Sequence, residues 1–130
     1  MAITLGQTHG FSIRVEEPMT AEHFGNAGIP VLATPCLVGL VERACIEAVA
    51  PHLDEGQGTV GTLVEIRHLA ATPVGLTVTL SVEVTSVEGR LIGFKVTGHD
   101  GIDTICEATH GRAVVNVEKF VARSKQKLPA

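Results

Sequence analysis

The sequence predicts an α+β domain in which one long helix is wrapped by a five-stranded antiparallel sheet. Three observations predict it. Leu37, Val41, Ala44, Cys45 and Ala48 recur between Thr34 and Pro51 at a spacing that puts them on one side of a helix. From Gly58 onward, apolar and polar residues alternate in four successive runs, the period of half-buried strands. Pro73 with Gly75, Glu88-Gly89 and Asp100-Gly101 separate those runs with turn-forming residues.

Taken in order, the segment GFSIRVEE predicts a short first strand. The helix follows, with Thr34 as its N-cap and Pro35 at the first helical position, where no N–H is needed. Arg43 and Glu47 lie opposite the apolar side at a spacing that suits an ion pair. Ala50-Pro51 ends the helix, because proline cannot continue the hydrogen-bond ladder. In TVGTLVEIRHLAAT, alternation puts Val60, Val64 and Ile66 on one face and Leu63 and Leu69 on the other. LTVTLSVEV and RLIGFKVTGH are the next two strands, and the last is long, from about Ile102 to Val117. Asp100-Gly101 before it predicts a type I′ hairpin.

One helix cannot cover both faces of five strands, so a second copy is the economical cover for the remaining apolar surface. A helix wrapped by a curved antiparallel sheet that dimerises edge to edge is the hotdog architecture. The expectation is a single domain over residues 1–120, a C-terminal tail over 121–130, and a homodimer or higher assembly.

Composition narrows the function. A formal charge of −4, no Trp, no Tyr and four Phe leave little to attract or stack on nucleic acid. No run approaches the ~20 apolar residues of a membrane span, and MAITLGQ lacks the features of a signal peptide, so a cytoplasmic protein is expected. Cys36, Cys45 and Cys106 are odd in number and unpaired in spacing, and read as small buried hydrophobes. His9, His23, His52 and His99 lie at no metal-ligand spacing with Cys or acids, and neither a metal nor a cofactor is expected.

Glu42 raises the functional question. It does not share the polar side of the helix with Arg43 and Glu47 but lies between Val38 and Ile46. An acid there either bends toward water or is a partly desolvated base or nucleophile. His68 follows the inward parity of Val64 and Ile66, so a carboxylate–imidazole pair between helix and sheet is expected. Thr34 lies eight residues before Glu42, about 12 Å along a helix axis, so direct contact between them is not required. His110 and Arg112, in THGRAV, read as contacts for phosphate or pantetheine, with a cross-strand acid as the alternative partner for Arg112. Lys119, Arg123, Lys125 and Lys127 read as a solvated basic tail.

TPCLVGLVERACIEAVAPHL, GTVGT, HLAATPVGLTVTL, SVEGR, HDGID and THGRAVVNVEKF together resemble the fluoroacetyl-CoA thioesterases of the hotdog superfamily, from about Thr34 to Phe120. The resemblance implies hydrolysis of a short-chain acyl-CoA at a dimer interface, with coenzyme A entering as part of the substrate. It places that family's catalytic threonine, glutamate and histidine on Thr34, Glu42 and His68, and its substrate-binding glycine and arginine on Gly61 and Arg112. It implies attack by Glu42 on the carbonyl, or activation of water by it, with His68 moving the proton. The chain departs from the family where phenylalanines close the pocket. HFGNAGIPVLATP holds only Phe24 there, and Pro35 replaces a glycine after Thr34. A non-hydrolytic acyl-CoA binder and a hydratase or dehydratase on the same fold are the alternatives.

Overall fold

The computed structural model describes residues 2–130. Its elements are β1 (Thr8–Arg14), α1 (Thr34–Val49), β2 (Gln57–His68), β3 (Thr77–Glu88), β4 (Leu91–His99), β5 (Thr104–Asn116) and α2 (Val117–Lys125). All strand pairs are antiparallel, in the order β1-β3-β4-β5-β2. The two strands that flank α1 in sequence therefore become the two edges of the sheet. The sheet wraps α1 as the hotdog expectation requires.

Alternation builds the core. Val78, Leu80, Val82 and Val84 of β3, with Ile92, Phe94 and Val96 of β4, turn the same way and are buried. They join Leu37, Leu40, Val41, Ala44, Cys45, Ala48 and Val49 of α1 in one apolar cluster. Each fully buried large aliphatic side chain there stabilises the fold by about 1.5–3 kcal/mol. The outer face of α1 is not paired along its length as its i, i+4 spacing suggests. Arg43 instead lies over the Phe11 ring at 5.1 Å, and Glu47 stands 3.8 Å from His9, so both turn to β1.

Three local expectations are corrected. First, β2 slips register between Gly61 and Leu63, which pair with Arg112 and Gly111 respectively. Thr62 is thus the extra residue of a β-bulge. It moves Val60 off the face of Val64 and Ile66 and puts Gly61 there instead.

Second, Asp100-Gly101 does not make a type I′ turn, since no non-glycine residue among those described has positive φ. Asp100 is buried and its side chain makes the turn. Oδ1 accepts from the N–H groups of Ile102 and Asp103 at 3.0 and 2.8 Å, and Oδ2 accepts the Thr72 hydroxyl at 2.9 Å. These bonds hold the Asp100 carboxyl below its ordinary pKa and clip the β4–β5 turn to the strap that follows β2.

Third, the last strand stops at Asn116. The Asn116 side chain accepts from the Lys119 N–H at 3.0 Å and caps α2. Residues 117–125 are therefore helical, and the 120/121 boundary falls inside that helix. Among the described residues, no helix is long and apolar enough to cross a membrane.

Candidate active site

The flank of α1 that faces β2 carries Glu42, with Ile46 one turn on and 42 % exposed. The Glu42 side chain is 41 % exposed, and Oε2 accepts from Arg112 Nη1 at 3.3 Å. The guanidinium is deeply buried and held from three sides. Nε donates to Thr59 Oγ1 at 2.8 Å, Nη2 to the Thr59 carbonyl at 2.9 Å, and Nη1 also meets His110 Nε2 at 3.1 Å. A half-open carboxylate thus rests on a rigid cationic floor. Such a charge-assisted bond orients the acid through one of its two oxygens.

Gly61 explains itself against that floor. A Cβ at this position would stand 3.2 Å from Glu42 Oε2, 3.4 Å from Arg112 Nη1 and 3.5 Å from His110 Cε1. A side chain here would crowd the acid most, so the small size of glycine lets acid, guanidinium and imidazole share this space. The bulge at Thr62 turns Gly61 toward them.

Thr34 and His68 form a second cluster. The sequence assigns Thr34 a capping role, but Ala33 occupies the N-cap position and no side chain caps α1. The freed hydroxyl lies 2.8 Å from His68 Nδ1, joining the helix start to the end of β2. His68 Nε2 is buried and has no hydrogen-bond partner. A shallow cavity of about 240 Å³ opens beside it, lined also by Val31, Leu69, Ala70 and Ala71.

The expected carboxylate–imidazole pair is not made within one chain. Glu42 bonds Arg112, and His68 bonds Thr34. Glu42 sits over Gly61, which is separated from His68 by most of β2, about 20 Å at strand spacing. The two clusters lie on the same inner face but toward opposite ends of that strand. Two larger hollows, about 650 and 500 Å³, lie elsewhere on the sheet, lined by residues such as Glu83 and Lys95 or Arg67 and Glu107. Neither is lined by Glu42 or His68.

His110 and Arg112 are corrected as well. They are 2 % and 3 % exposed and form the floor of the site, so neither is placed to receive phosphates at the surface. Arg112 does meet an acid, though one from α1 and not from a neighbouring strand. The missed signal is parity: Cys106, Ala108, His110, Arg112 and Val114 are alternate residues of β5 and all are buried. Nothing in the sequence marks Thr59 as the partner of Arg112. Burial, aided by the Arg112 charge, lowers the His110 pKa against the Leu63 carbonyl and Glu42, which favour the charged ring. Burial also pushes the Cys45 thiol, behind this floor, up to about 12. Among the described residues, no group of three or more His, Cys, Asp or Glu side chains is placed to hold a metal.

Residues 15–118 match the sequence profile of FlK, the fluoroacetyl-CoA-specific thioesterase family. A fluoroacetyl-CoA thioesterase of Streptantibioticus cattleyicolor is 52 % identical over 100 residues, covering 77 % of this chain and 72 % of the relative. A solved structure of the fluoroacetyl-CoA thioesterase FlK superposes with a TM-score of 0.93 at 42 % identity, over 99 % of this chain and 100 % of that one. A threonine-to-serine variant of FlK in complex with acetyl-CoA superposes with a TM-score of 0.92 at 41 % identity, over 98 % of this chain and 100 % of that one.

Proposed function

Because the chain belongs to the fluoroacetyl-CoA-specific thioesterase family and is a thioester hydrolase, we propose that it cleaves short-chain acyl-CoA in a site shared by two copies of the chain. The observation that carries this reading is the division of the polar residues into two clusters on one face of an edge strand. β2 is twelve residues long and, among the described residues, pairs with a strand on one side only. Such an edge is a template for pairing with another chain. Antiparallel pairing of β2 with its copy, about a two-fold axis near Glu65, sets Val64 against the partner's Ile66. Once the bulge is counted, it also sets Gly61 against the partner's His68. Glu42 of one chain then faces Thr34 and His68 of the other.

In that arrangement each residue has one task. Glu42, oriented by Arg112, acts on the thioester carbonyl, either by direct attack to give a mixed anhydride or by taking a proton from water. Thr34 donates to Nδ1 of His68, which leaves Nε2–H to hydrogen-bond the thiolate as the C–S bond breaks, the thiol proton then coming from water. Gly61 keeps the approach to the carboxylate clear. Oxygen-18 water under single-turnover conditions separates the two routes, since only direct attack puts label into the enzyme after one cycle.

The acyl group is short and unselected for fluorine. The segment before α1 carries one aromatic residue, Phe24, which is 54 % exposed. Gly25 and Gly28 turn the chain there with φ of 101° and 81°. The test is thiol release from a panel of acyl-CoA substrates, with fluoroacetyl-CoA and acetyl-CoA side by side. Hydrolysis of both at similar kcat/KM, abolished by Glu42→Gln and by His68→Ala, supports the proposal. Full activity in either variant contradicts it.

A further inference from the structure

His110 has a distinct partner on each ring nitrogen, and together they leave the ring one protonation state. Nδ1 lies 2.7 Å from the Leu63 carbonyl. A carbonyl only accepts, so Nδ1 carries the proton. Nε2 lies 3.1 Å from Arg112 Nη1. A guanidinium only donates, so Nε2 presents its lone pair. Phe94 stacks on the ring at 6.0 Å with an interplanar angle of 28°, which fixes its plane.

This matters because Arg112 Nη1 has two hydrogens and two partners. One points to Glu42 Oε2 and the other to His110 Nε2. Thr59 takes the remaining directed bonds. The rotation of the guanidinium about its own plane is therefore set by Thr59 on one side and by the His110 lone pair on the other. Without that acceptor the guanidinium keeps only its two holds on Thr59, and the hydrogen aimed at Glu42 is less firmly placed.

We infer that His110 is a positioning residue for the hydrolase: its unprotonated Nε2 aims Arg112 Nη1 at Glu42 and so fixes the reactive carboxylate. The inference rests on the thioesterase reading above. It also explains why an imidazole buried among Arg112 of β5, Glu42 of α1, the Leu63 carbonyl and Gly61 of β2, and Phe94 of β4 stays neutral. An imidazolium would turn an N–H toward a guanidinium 3.1 Å away, breaking the bond and the aim together.

Two amide substitutions separate the ring's two bonds. In His110→Asn, the shorter side chain keeps a donor for the Leu63 carbonyl and offers nothing to Arg112. In His110→Gln, the longer side chain keeps an acceptor near the Nε2 position and gives up Leu63. The expected result is a kcat lowered about tenfold or more in Asn and within about threefold of wild type in Gln, on the scale of one hydrogen bond to a charged group. KM stays within about twofold in both, because His110 does not touch substrate. A ring that only props the bulge at Leu63 gives the reverse order. That reverse order, a Gln variant as slow as Asn, or an Asn variant as fast as wild type overturns the proposal.

Nitrogen-15 spectra of the histidine rings read the protonation state directly, with no need for turnover. Between about pH 7 and pH 8, above the ordinary histidine range, His110 is expected to keep Nδ1 protonated and Nε2 bare. A proton on Nε2 in that range overturns the proposal. A wild-type protein inert toward every acyl-CoA removes the hydrolase reading, and the ring spectrum still decides the tautomer.

Discussion

The hydroxyl of Thr34 and Nδ1 of His68 lie 2.8 Å apart, joining the first residue of α1 to the last residue of β2. Thr34 does no capping work, so its hydroxyl is separable from helix stability. Thr34→Val is expected to lower kcat about tenfold or more through loss of this bond, with thermal stability nearly unchanged. Thr34→Ser restores most of the rate. Steady-state kinetics with parallel thermal melts check both, and a stability loss that accounts for the lost rate would assign Thr34 a structural role.

Gly61→Ala tests the space around the carboxylate. The strand backbone accepts alanine there, since Gly61 is not among the glycines with positive φ. The new methyl stands 3.2 Å from Glu42 Oε2, so the carboxylate must shift by tenths of an ångström. The expected outcome is a folded protein with kcat reduced on the order of tenfold, since small misplacements at reacting groups are costly. Wild-type kcat would show that Glu42 does not act from this position.

Acid sensitivity follows from His110. Its folded pKa is lowered, so the unfolded chain binds the proton at higher pH. The linked stability is fully present above about pH 6.5 and is lost as pH falls from there through the lowered folded value. Urea midpoints measured from about pH 8 to pH 5 should fall for the wild type and less steeply for His110→Gln. Parallel curves would place the ring in a less buried setting.

Asp100 is expected to matter for stability more than for chemistry. Asp100→Ala removes acceptors from Ile102, Asp103 and Thr72 and should cost about 2–4 kcal/mol, with the buried Thr72 hydroxyl left unpaired. Thr72→Val should cost less. Denaturant titration measures both.

Much of this architecture is legible in the residues. Val78, Leu80, Val82 and Val84 alternate without a break, and the apolar stripe from Leu37 to Ala48 has one period throughout, so local pattern and global packing agree. Apart from the local cap that Asn116 gives α2, the failures involve a partner distant in sequence. The bulge at Thr62 depends on how β2 meets β5 across Gly111. Thr34 follows the capping rule by residue type, yet a histidine 34 positions away takes its hydroxyl. Asp100 reads as a hairpin turn until Thr72 closes over it. The separation of Glu42 from His68 is invisible because helical and strand parity fix which face a side chain takes, not how far along the face it lies.

That separation can be tested with mixed dimers. Chains carrying Glu42→Gln and chains carrying His68→Ala are each expected to be inactive alone. Co-assembled in equal amounts, half the dimers carry one chain of each kind. One of the two sites in such a dimer combines an intact Glu42 with an intact Thr34 and His68, so the mixture should recover about a quarter of wild-type activity. A mixture as inactive as its parents would mean that each chain builds its site from its own residues, against the arrangement proposed here.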